Sequence, residues 1–352
     1  MTVDQQIPHD GFDDELKTES MEGHWIPGTN EEESQTYCMD PYTTVLPHVW
    51  KWEVIHRHLL HAGEIRDLAG MADRRTLRLI NPAFKEMANR RHRTTTHTIQ
   101  MSVQLLKPGE LASSHRHNFG AFRFIVEGQG AYTVVDGEEF LMEPGDLIPN
   151  PPMHWHGHRN DAEPIIWLDG LDYPLIHALH ATRWEGFPGE FQNIKADSES
   201  SRHRTGLVRP VWEEGVTAPL CYKWKDTYET LKALKESDCS PYDGVALEYI
   251  NPVNGGHTFP TMGCWIQMLR EGEKTKTHRH NHTTIYHAFR GNGTTVIDGE
   301  RYDWKQGDCF VVPLWAWHAH ENASNQDEAI LFSMNDLPMM EALKLSAEET
   351  EQ

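Results

Sequence analysis

Short runs of alternating apolar and polar residues recur along most of this chain, and turn-forming segments separate them. Between residues 109 and 160 the separating segments are EGQG, VDGEE and EPGD, which are typical of hairpin turns. A similar arrangement returns from about residue 243, where VIDGERYDWKQGD carries the corresponding turns. The pattern predicts two small antiparallel β-barrels in tandem.

An internal duplication supports this architecture. His278 lies 163 residues after His115, and Gly307 lies 162 residues after Gly145, so the same unit occurs twice with one residue lost. We expect an N-terminal helix and the first barrel in residues 46–180, and the second barrel in residues 243–341. The remaining segments are a polar N-terminal arm (1–45), a linker with a helix (181–242) and a polar tail (342–352).

The segment before the first barrel is predicted to form a helix followed by strands. Trp50, Val54, Leu59 and Leu60 recur at about one-turn spacing, which predicts a short amphipathic helix. The histidines of that helix, His56, His58 and His61, are expected to be solvated or capping rather than metal ligands. RRTLRLINPAF and HTIQMSVQLLKPGE then predict two strands that lead into the barrel.

Composition narrows the class of partner. The 352 residues suggest about two domains, and the net charge of −21 disfavours nucleic acid and anionic membranes. No apolar run approaches the roughly 20 residues of a membrane span, and the N-terminus lacks a signal-peptide core, so we expect a cytoplasmic protein. The five cysteines have no CxxC spacing, and Cys264 and Cys309 lie in apolar runs, so we expect buried thiols.

Three histidines in the first barrel stand at metal-ligand spacing. His115 and His117 are two residues apart, so on a strand both imidazoles point to the same face. The hairpin turns fold the strand carrying His156 back against them. Imidazole binds zinc, nickel, copper, manganese and iron, so the ligand type leaves the metal open.

The motifs around these ligands carry a resemblance. Gly109, His115-x-His117, Gly145, Pro151 and His156 fall at the spacing of the two motifs of the cupin superfamily. The all-histidine site, RFIVEG and WLDGLDYPL make the chain similar to the gentisate 1,2-dioxygenase family, which includes salicylate and 1-hydroxy-2-naphthoate dioxygenases. The likeness runs from about residue 47 to about 341. It implies a mainly β bicupin (two double-stranded β-helix barrels) with a helical N-terminal region.

The resemblance also implies a reaction. An iron(II)-dependent oxidoreductase would use O2 to cleave an ortho-hydroxybenzoate, gentisate or a 5-substituted salicylate, between the carboxyl-bearing and hydroxyl-bearing carbons. Three neutral imidazoles leave the ion at charge +2, which suits a substrate that chelates it as an anion. The family further implies a role in aromatic hydrocarbon catabolism and a homotetramer.

Site residues follow from parity and from the family positions. Arg123 shares the ligands' face if the strand runs unbroken from His117, and a guanidinium suits a carboxylate. His158 shares parity with His156 and is the expected acid/base, whereas His154 is expected to be structural. Asp169 matches a family position near the pocket and is assigned with the catalytic group. The expected substrate-binding residues are Gln100, Ser102, Gln104, Phe119 and Trp167.

Gln100 stands where family members commonly carry tryptophan. A glutamine amide can donate a hydrogen bond to a polar ring substituent, against which tryptophan only stacks. This departure favours a salicylate with a polar 5-substituent over gentisate alone.

The second barrel repeats the ligand pattern with His278, His280 and His318. Tyr286 replaces Arg123 at the equivalent position, so we expect a candidate second metal site without catalysis. Duplicated barrels can keep their packing and lose their chemistry.

Three alternatives remain open. A 1-hydroxy-2-naphthoate dioxygenase lies within the same family. An oxalate-type decarboxylase normally adds a glutamate ligand, which both barrels lack. A non-catalytic metal- or ligand-binding bicupin need not keep its ligands, whereas both triads here are complete.

Overall fold

The computed structural model describes residues 11–21, 23, 40–66, 68, 74–195, 221–237 and 239–351. The chain divides into an N-terminal unit, Met1–Tyr42, and a second unit, Thr43–Gln352. Helix α1 (Phe12–Thr18) belongs to the first unit. The second unit contains both barrels. Among the helices of the described residues, none has the length and apolar character that a membrane crossing requires.

The first barrel consists of two five-stranded antiparallel sheets that enclose an apolar core. It is preceded in sequence by β1 (His48–Trp50), which pairs with a strand of the second barrel, and by helix α2 (Trp52–Ile65). The barrel strands are β2 (Thr76–Arg78), β3 (Gln100–Leu106), β4 (Leu111–His117), β5 (Ala121–Glu127), β6 (Ala131–Val135), β7 (Glu138–Met142), β8 (Leu147–Asn150), β9 (His156–Asn160), β10 (Ile165–Leu171) and β11 (Trp184–Gly186). One sheet has the order β2-β3-β10-β5-β8 and the other β11-β4-β9-β6-β7.

Short helical pieces connect these strands. Two 3₁₀ turns, Pro82–Phe84 and Arg90–His92, lie between β2 and β3. Helix α3 (Tyr173–Ala178) follows β10, and helix α4 (Trp224–Leu234) precedes the second barrel.

The second barrel repeats the two-sheet arrangement. Its strands are β12 (Val245–Glu248), β13 (Gly263–Leu269), β14 (His278–His280), β15 (Thr284–Arg290), β16 (Asn292–Ile297), β17 (Glu300–Lys305), β18 (Cys309–Val312), β19 (His318–Asn322), β20 (Ala329–Asn335) and β21 (Glu348–Thr350), with helix α5 (Leu337–Ala342) after β20. The sheet orders are β1-β18-β15-β20-β13-β12 and β17-β16-β19-β14-β21. The mainly β bicupin fold expected from the turn pattern is confirmed.

The two barrels pack against each other through one sheet of each. Phe124 on β5 stacks on Phe332 on β20, with ring centroids 4.0 Å apart. Gly170 on β10 faces Met334 on β20 so closely that a Cβ atom there would clash with the sulfur. Side chains on the other face of each strand fill the barrel interiors, so alternation along β5 and β10 separates packing residues from site residues.

Reciprocal contacts interlock the barrels. The backbone N–H of Trp52 donates to Asp308 of the second barrel (2.7 Å), and that of Trp224 donates to Asp146 of the first (2.9 Å). In both cases the lysine before the tryptophan forms an ion pair with the same carboxylate. The aspartate of the second barrel therefore binds the start of α2, which precedes the first barrel in sequence. The aspartate of the first barrel binds the start of α4, which precedes the second barrel.

Several segment predictions can be compared with these elements. The predicted helix is present as α2, but its buried face is formed by Ile55, Leu59 and Gly63, whereas Val54 is exposed and Trp50 lies in β1. Nε2 of His56 on this helix lies 3.0 Å from the Glu127 carboxylate. The predicted polar tail forms β21, which pairs with β14. β1 joins the second barrel although it precedes the first. Residues 196–220 of the predicted linker, and most of the N-terminal arm, lie outside the described residues.

Candidate metal centre in the first barrel

The three first-barrel histidines converge. His115 and His117 lie on β4 and His156 on β9, and the register pairs His115 directly with His156. The ring centroid of His156 is 4.5 Å from that of His115 and 4.7 Å from that of His117. One ring nitrogen from each lies within 4.8 Å of the other two. The predicted folding back of the second ligand strand is therefore confirmed.

Backbone carbonyls fix the orientation of two ligand rings. Nδ1 of His117 donates to the Phe119 carbonyl (2.7 Å), and Nδ1 of His156 donates to the His154 carbonyl (2.9 Å). Both rings therefore carry their proton on Nδ1 and present the Nε2 lone pair. Nε2 of His156 is buried without a hydrogen-bond partner among the described residues. Such an orphaned acceptor fits a metal ion.

Electrostatics keeps the imidazoles neutral, as metal ligation requires. Burial, with the nearby Arg74 and His117, lowers the pKa of His115 to about 2. Burial likewise lowers the pKa of His117 to about 4 and that of His156 well below its ordinary value. Three neutral nitrogen donors fit a divalent first-row transition metal.

Arg74 is a neighbour of the triad that the motif analysis missed. Its Nη2 lies 2.8 Å from Nδ1 of His115 and donates to the Ser113 carbonyl at 2.9 Å. His115 Nδ1 is also 3.3 Å from the Ser113 carbonyl. If Nε2 of His115 held a metal, Nδ1 would carry the proton and donate to the Ser113 carbonyl, and Arg74 would donate to that carbonyl alone rather than to Nδ1. The sequence motifs did not indicate Arg74 because it lies 41 residues before His115.

Arg123 and Asp169 form a buried ion pair inside the barrel. Nε of Arg123 lies 3.2 Å from Oδ1 of Asp169, and the two residues are register partners on β5 and β10. Burial lowers the pKa of Arg123 and raises that of Asp169, and each charge opposes the shift of the other. Nη1 of Arg123 has no hydrogen-bond partner within the described part of the chain.

Arg123 was placed on the ligands' face by assuming one unbroken strand from His117, and that assumption is wrong. β4 ends at His117 and β5 begins at Ala121, so no unbroken strand joins the ligands to Arg123, and the two strands belong to different sheets. Arg123 nevertheless acts on the centre, because its charge lowers the pKa of all three ligand imidazoles. It faces the same interior from the opposite sheet.

His158 lies two residues after His156 on β9 and is fully buried. Its ring centroid is 5.1 Å from that of Trp167. Neither ring nitrogen has a hydrogen-bond partner in the described residues. Burial, with the charge of Arg123 next in importance, lowers the pKa of His158 well below its ordinary value. His154, by contrast, bonds to Asp136 at 2.5 Å at the end of the preceding turn, as a structural residue would.

Three polar residues line one face of β3. Ser102 and Gln104 are register partners of Asp169 and Trp167, and Gln100 shares their parity. Gln104 accepts a hydrogen bond from Thr76 at 3.2 Å, which leaves its amide nitrogen without a partner among the described residues. The polar β3 side chains therefore lie on the same face of the sheet as Arg123 and Asp169.

The amide nitrogen of Gln100, expected to donate to a substrate, is occupied by other residues of the chain. Its amide nitrogen donates to the Met101 carbonyl (2.6 Å), the Leu79 carbonyl (3.2 Å) and Thr95 Oγ1 (3.0 Å). Two carbonyl partners require a donor, which only the amide nitrogen can supply. The oxygen Oε1 is buried without a partner in the described part of the molecule. Gln100 therefore offers an acceptor, because its donors already hold backbone carbonyls.

Phe119 supports a ligand directly. Its ring stacks on His117 with centroids 3.7 Å apart, and Tyr173 contacts it edge-on at 5.4 Å. Asn150 on β8 was not predicted, although it is fully buried and its amide has no partner among the described residues. It was missed because IPNPP reads as a turn. The equivalent position in the second barrel is Val312.

The second triad also converges. His278 and His318 are register partners, with ring centroids 4.3 Å apart, and one nitrogen each of His278, His280 and His318 lies within 4.8 Å of the others. These two triads are the groups of three or more candidate ligands that the described residues contain.

Comparison with known proteins agrees with this geometry. The Cupin domain family matches residues 102–170 and 265–335, one match for each barrel. The chain is 38% identical to the 5-aminosalicylate 1,2-dioxygenase of Comamonas sp, over 90% of this chain and 84% of that protein. It is 36% identical to the 1-hydroxy-2-naphthoate 1,2-dioxygenase of Nocardioides sp. strain KP7, over 97% of this chain and 88% of that protein.

A solved structure extends the similarity to three dimensions. Salicylate 1,2-dioxygenase from Pseudoaminobacter salicylatoxidans, in an adduct with gentisate, superposes with a TM-score of 0.85 at 30% identity. The superposition covers 99% of this chain and 97% of that one.

Proposed function

This chain belongs to the bicupin family of gentisate and salicylate 1,2-dioxygenases, and we propose that it cleaves an ortho-hydroxybenzoate with O2 at an iron(II) ion held by His115, His117 and His156. The observation that carries the proposal is the convergence of three neutral imidazoles beside a buried arginine. Iron(II), when bound, supplies the one-electron chemistry that lets dioxygen react with a closed-shell aromatic ring.

Arg123 is proposed to hold the substrate carboxylate. Its Nε forms an ion pair with Asp169, and neither Nε nor Nη1 has a hydrogen-bond partner in the described residues. A charge-assisted hydrogen bond from Nη1 would orient the carboxylate inside a dry barrel, where such bonds are strong. Asp169 holds the guanidinium in place and offsets part of the cost of burying its charge.

His158 is proposed to accept the proton of the substrate hydroxyl. Its ring is neutral at physiological pH and buried beside Trp167. A neutral imidazole has a free lone pair, which makes it a base rather than an acid in the resting site. Trp167 and Phe119 are proposed to contact the substrate ring from the barrel wall.

Gln100 is proposed to select the ring substituent. Because only its Oε1 is available, it can accept a hydrogen bond from an amino or hydroxyl group but cannot donate one to a nitro group. This favours 5-aminosalicylate and gentisate as substrates. A relative named for 5-aminosalicylate is 38% identical to this chain, which supports the same substituent class.

Oxygen uptake tests this proposal. Protein loaded anaerobically with iron(II) should consume O2 with 5-aminosalicylate or gentisate, and turn over 5-nitrosalicylate, which is similar in size, with a lower kcat/KM. 1-Hydroxy-2-naphthoate serves as the third arm and tests the alternative. Equal kcat/KM for the amino and nitro compounds would refute the role of Gln100, and preference for the naphthoate would favour the alternative. Cytoplasmic location and assembly as a homotetramer remain predictions.

A further inference from the structure

The second barrel contains a complete triad that the proposed reaction does not use. His278, His280 and His318 are all at most 7% exposed. Nδ1 of His280 donates to the His282 carbonyl (2.9 Å), and Nδ1 of His318 donates to the Ala316 carbonyl (3.0 Å). These two rings therefore present Nε2 to the centre of the triad, as His117 and His156 do in the first barrel.

One ligand atom of this triad is free to bind a metal. Nε2 of His318 is buried without a hydrogen-bond partner in the described residues. Buried imidazoles that point at one another are costly as an empty arrangement, because an unsatisfied buried ring nitrogen destabilises the fold.

A carboxylate lies beside one histidine of this triad, in contrast to the first barrel. Oδ1 of Asp243 lies 3.9 Å from Nε2 of His278, a spacing that two ligands of one metal ion can adopt. Oδ2 of the same carboxylate accepts a hydrogen bond from Ser240 at 2.7 Å, which aims Oδ1 at the triad. Asp243 precedes β12, so it does not occupy the motif position from which a cupin usually supplies an acid.

The groups proposed to hold substrate in the first barrel are replaced here. Tyr286 and Ser333 are register partners on β15 and β20, as Arg123 and Asp169 are on β5 and β10. The Tyr286 ring stacks on Phe310 and is almost fully buried. No buried cation therefore faces the second triad from these two positions, and an anionic substrate would meet the Asp243 carboxylate instead.

We propose that the second barrel binds a divalent first-row transition metal through His278, His280, His318 and Asp243, as a structural site that does not turn over substrate. Imidazole nitrogens with one carboxylate suit iron, cobalt, manganese, nickel or zinc. The protein carboxylate lowers the charge of the site, so no substrate anion is needed to balance it. This site is independent of the reaction proposed for the first barrel.

Metal counting tests the site without reference to activity. Apoprotein is loaded anaerobically with cobalt(II), freed of excess metal by gel filtration and analysed by elemental mass spectrometry. The expected content is about two ions per chain for the wild type and about one each for His156→Ala and His318→Ala. The double variant should retain about none. One ion per chain in both the wild type and His318→Ala would overturn the proposal.

Asp243→Asn tests the carboxylate. It keeps the size of the side chain and its contact with Ser240, so the fold should persist, and circular dichroism checks this. We expect the second cobalt ion to be released to a chelator roughly tenfold or more faster, with its visible absorption bands altered. Asp303→Asn, on the exposed β17, is the matched control and should leave release unchanged. An Asp243→Asn protein identical to the wild type would exclude Asp243 as a ligand.

Discussion

Replacing Arg123 by methionine separates substrate capture from metal binding. The guanidinium is only 4% exposed, so water does not screen its contacts, and Nη1 is free for a substrate carboxylate in the described structure. A hydrogen bond between charged groups contributes about 1.5–3 kcal/mol, and about 1.4 kcal/mol is a tenfold change. We therefore expect kcat/KM to fall roughly ten- to 150-fold while iron content stays at the wild-type level.

The variant also leaves Asp169 buried without its partner. Burial already raises the pKa of that carboxyl, so it would bind a proton when the arginine is lost. The double variant Arg123→Met/Asp169→Asn removes this complication and should have a kcat/KM close to that of the single variant. Arg159→Met is the control, because Arg159 lies on β9 but pairs with Glu139 at 2.9 Å, away from the triad. A kcat/KM for Arg123→Met within about twofold of wild type in oxygen-uptake assays would refute the assignment.

Further predictions concern specificity, cooperativity and pH. Gln100→Leu should lower kcat/KM for 5-aminosalicylate relative to 5-nitrosalicylate, and an unchanged ratio in competition assays would argue against acceptor recognition. Asp146→Asn and Asp308→Asn should each lower the free energy of unfolding by about 1.5–3 kcal/mol within a single denaturant transition, since each carboxylate anchors the other barrel's helix; two separated transitions would contradict the interlock. Burial lowers the pKa of His257, but hydrogen bonds to Glu341 and Glu248 outweigh it and raise the pKa overall. Because the folded-state pKa is raised, this contribution is complete below the ordinary value of 6.5 and is lost as pH rises through the raised pKa. The melting temperature of wild type should therefore exceed that of His257→Asn by more at about pH 6 than at about pH 9, and a difference independent of pH would exclude the mechanism.

The fold and the metal ligands could be predicted because they depend on local patterns. Turn residues and alternation define the strands, and His115 and His117 reach one face through a period of two. The repeat spacing of about 163 residues places the second barrel without any structural information. These features need no knowledge of which strand pairs with which across the barrel.

The neighbours of the two triads and the contacts between the barrels depend on long-range pairing that local periodicity does not encode. Arg74 reaches His115 from before β2, and Asp243 approaches His278 from the segment before β12. The helix starts at Lys51-Trp52 and Lys223-Trp224 repeat in the sequence, but their exchange between barrels is visible only when Asp308 and Asp146 are located. The hydrogen bonds from the Gln100 amide to Leu79 and Thr95 could not be predicted for the same reason.

The most direct test of the account is the fate of the oxygen atoms in the wild type and in two histidine variants. Iron-loaded protein would be mixed with 5-aminosalicylate or gentisate under ¹⁸O₂, and the ring-opened product analysed by mass spectrometry. We predict that both labelled atoms enter one product in the wild type and in His318→Ala, and that His156→Ala forms no product. Activity that survives in His156→Ala but is lost in folded His318→Ala would place the reaction in the other barrel and contradict the account.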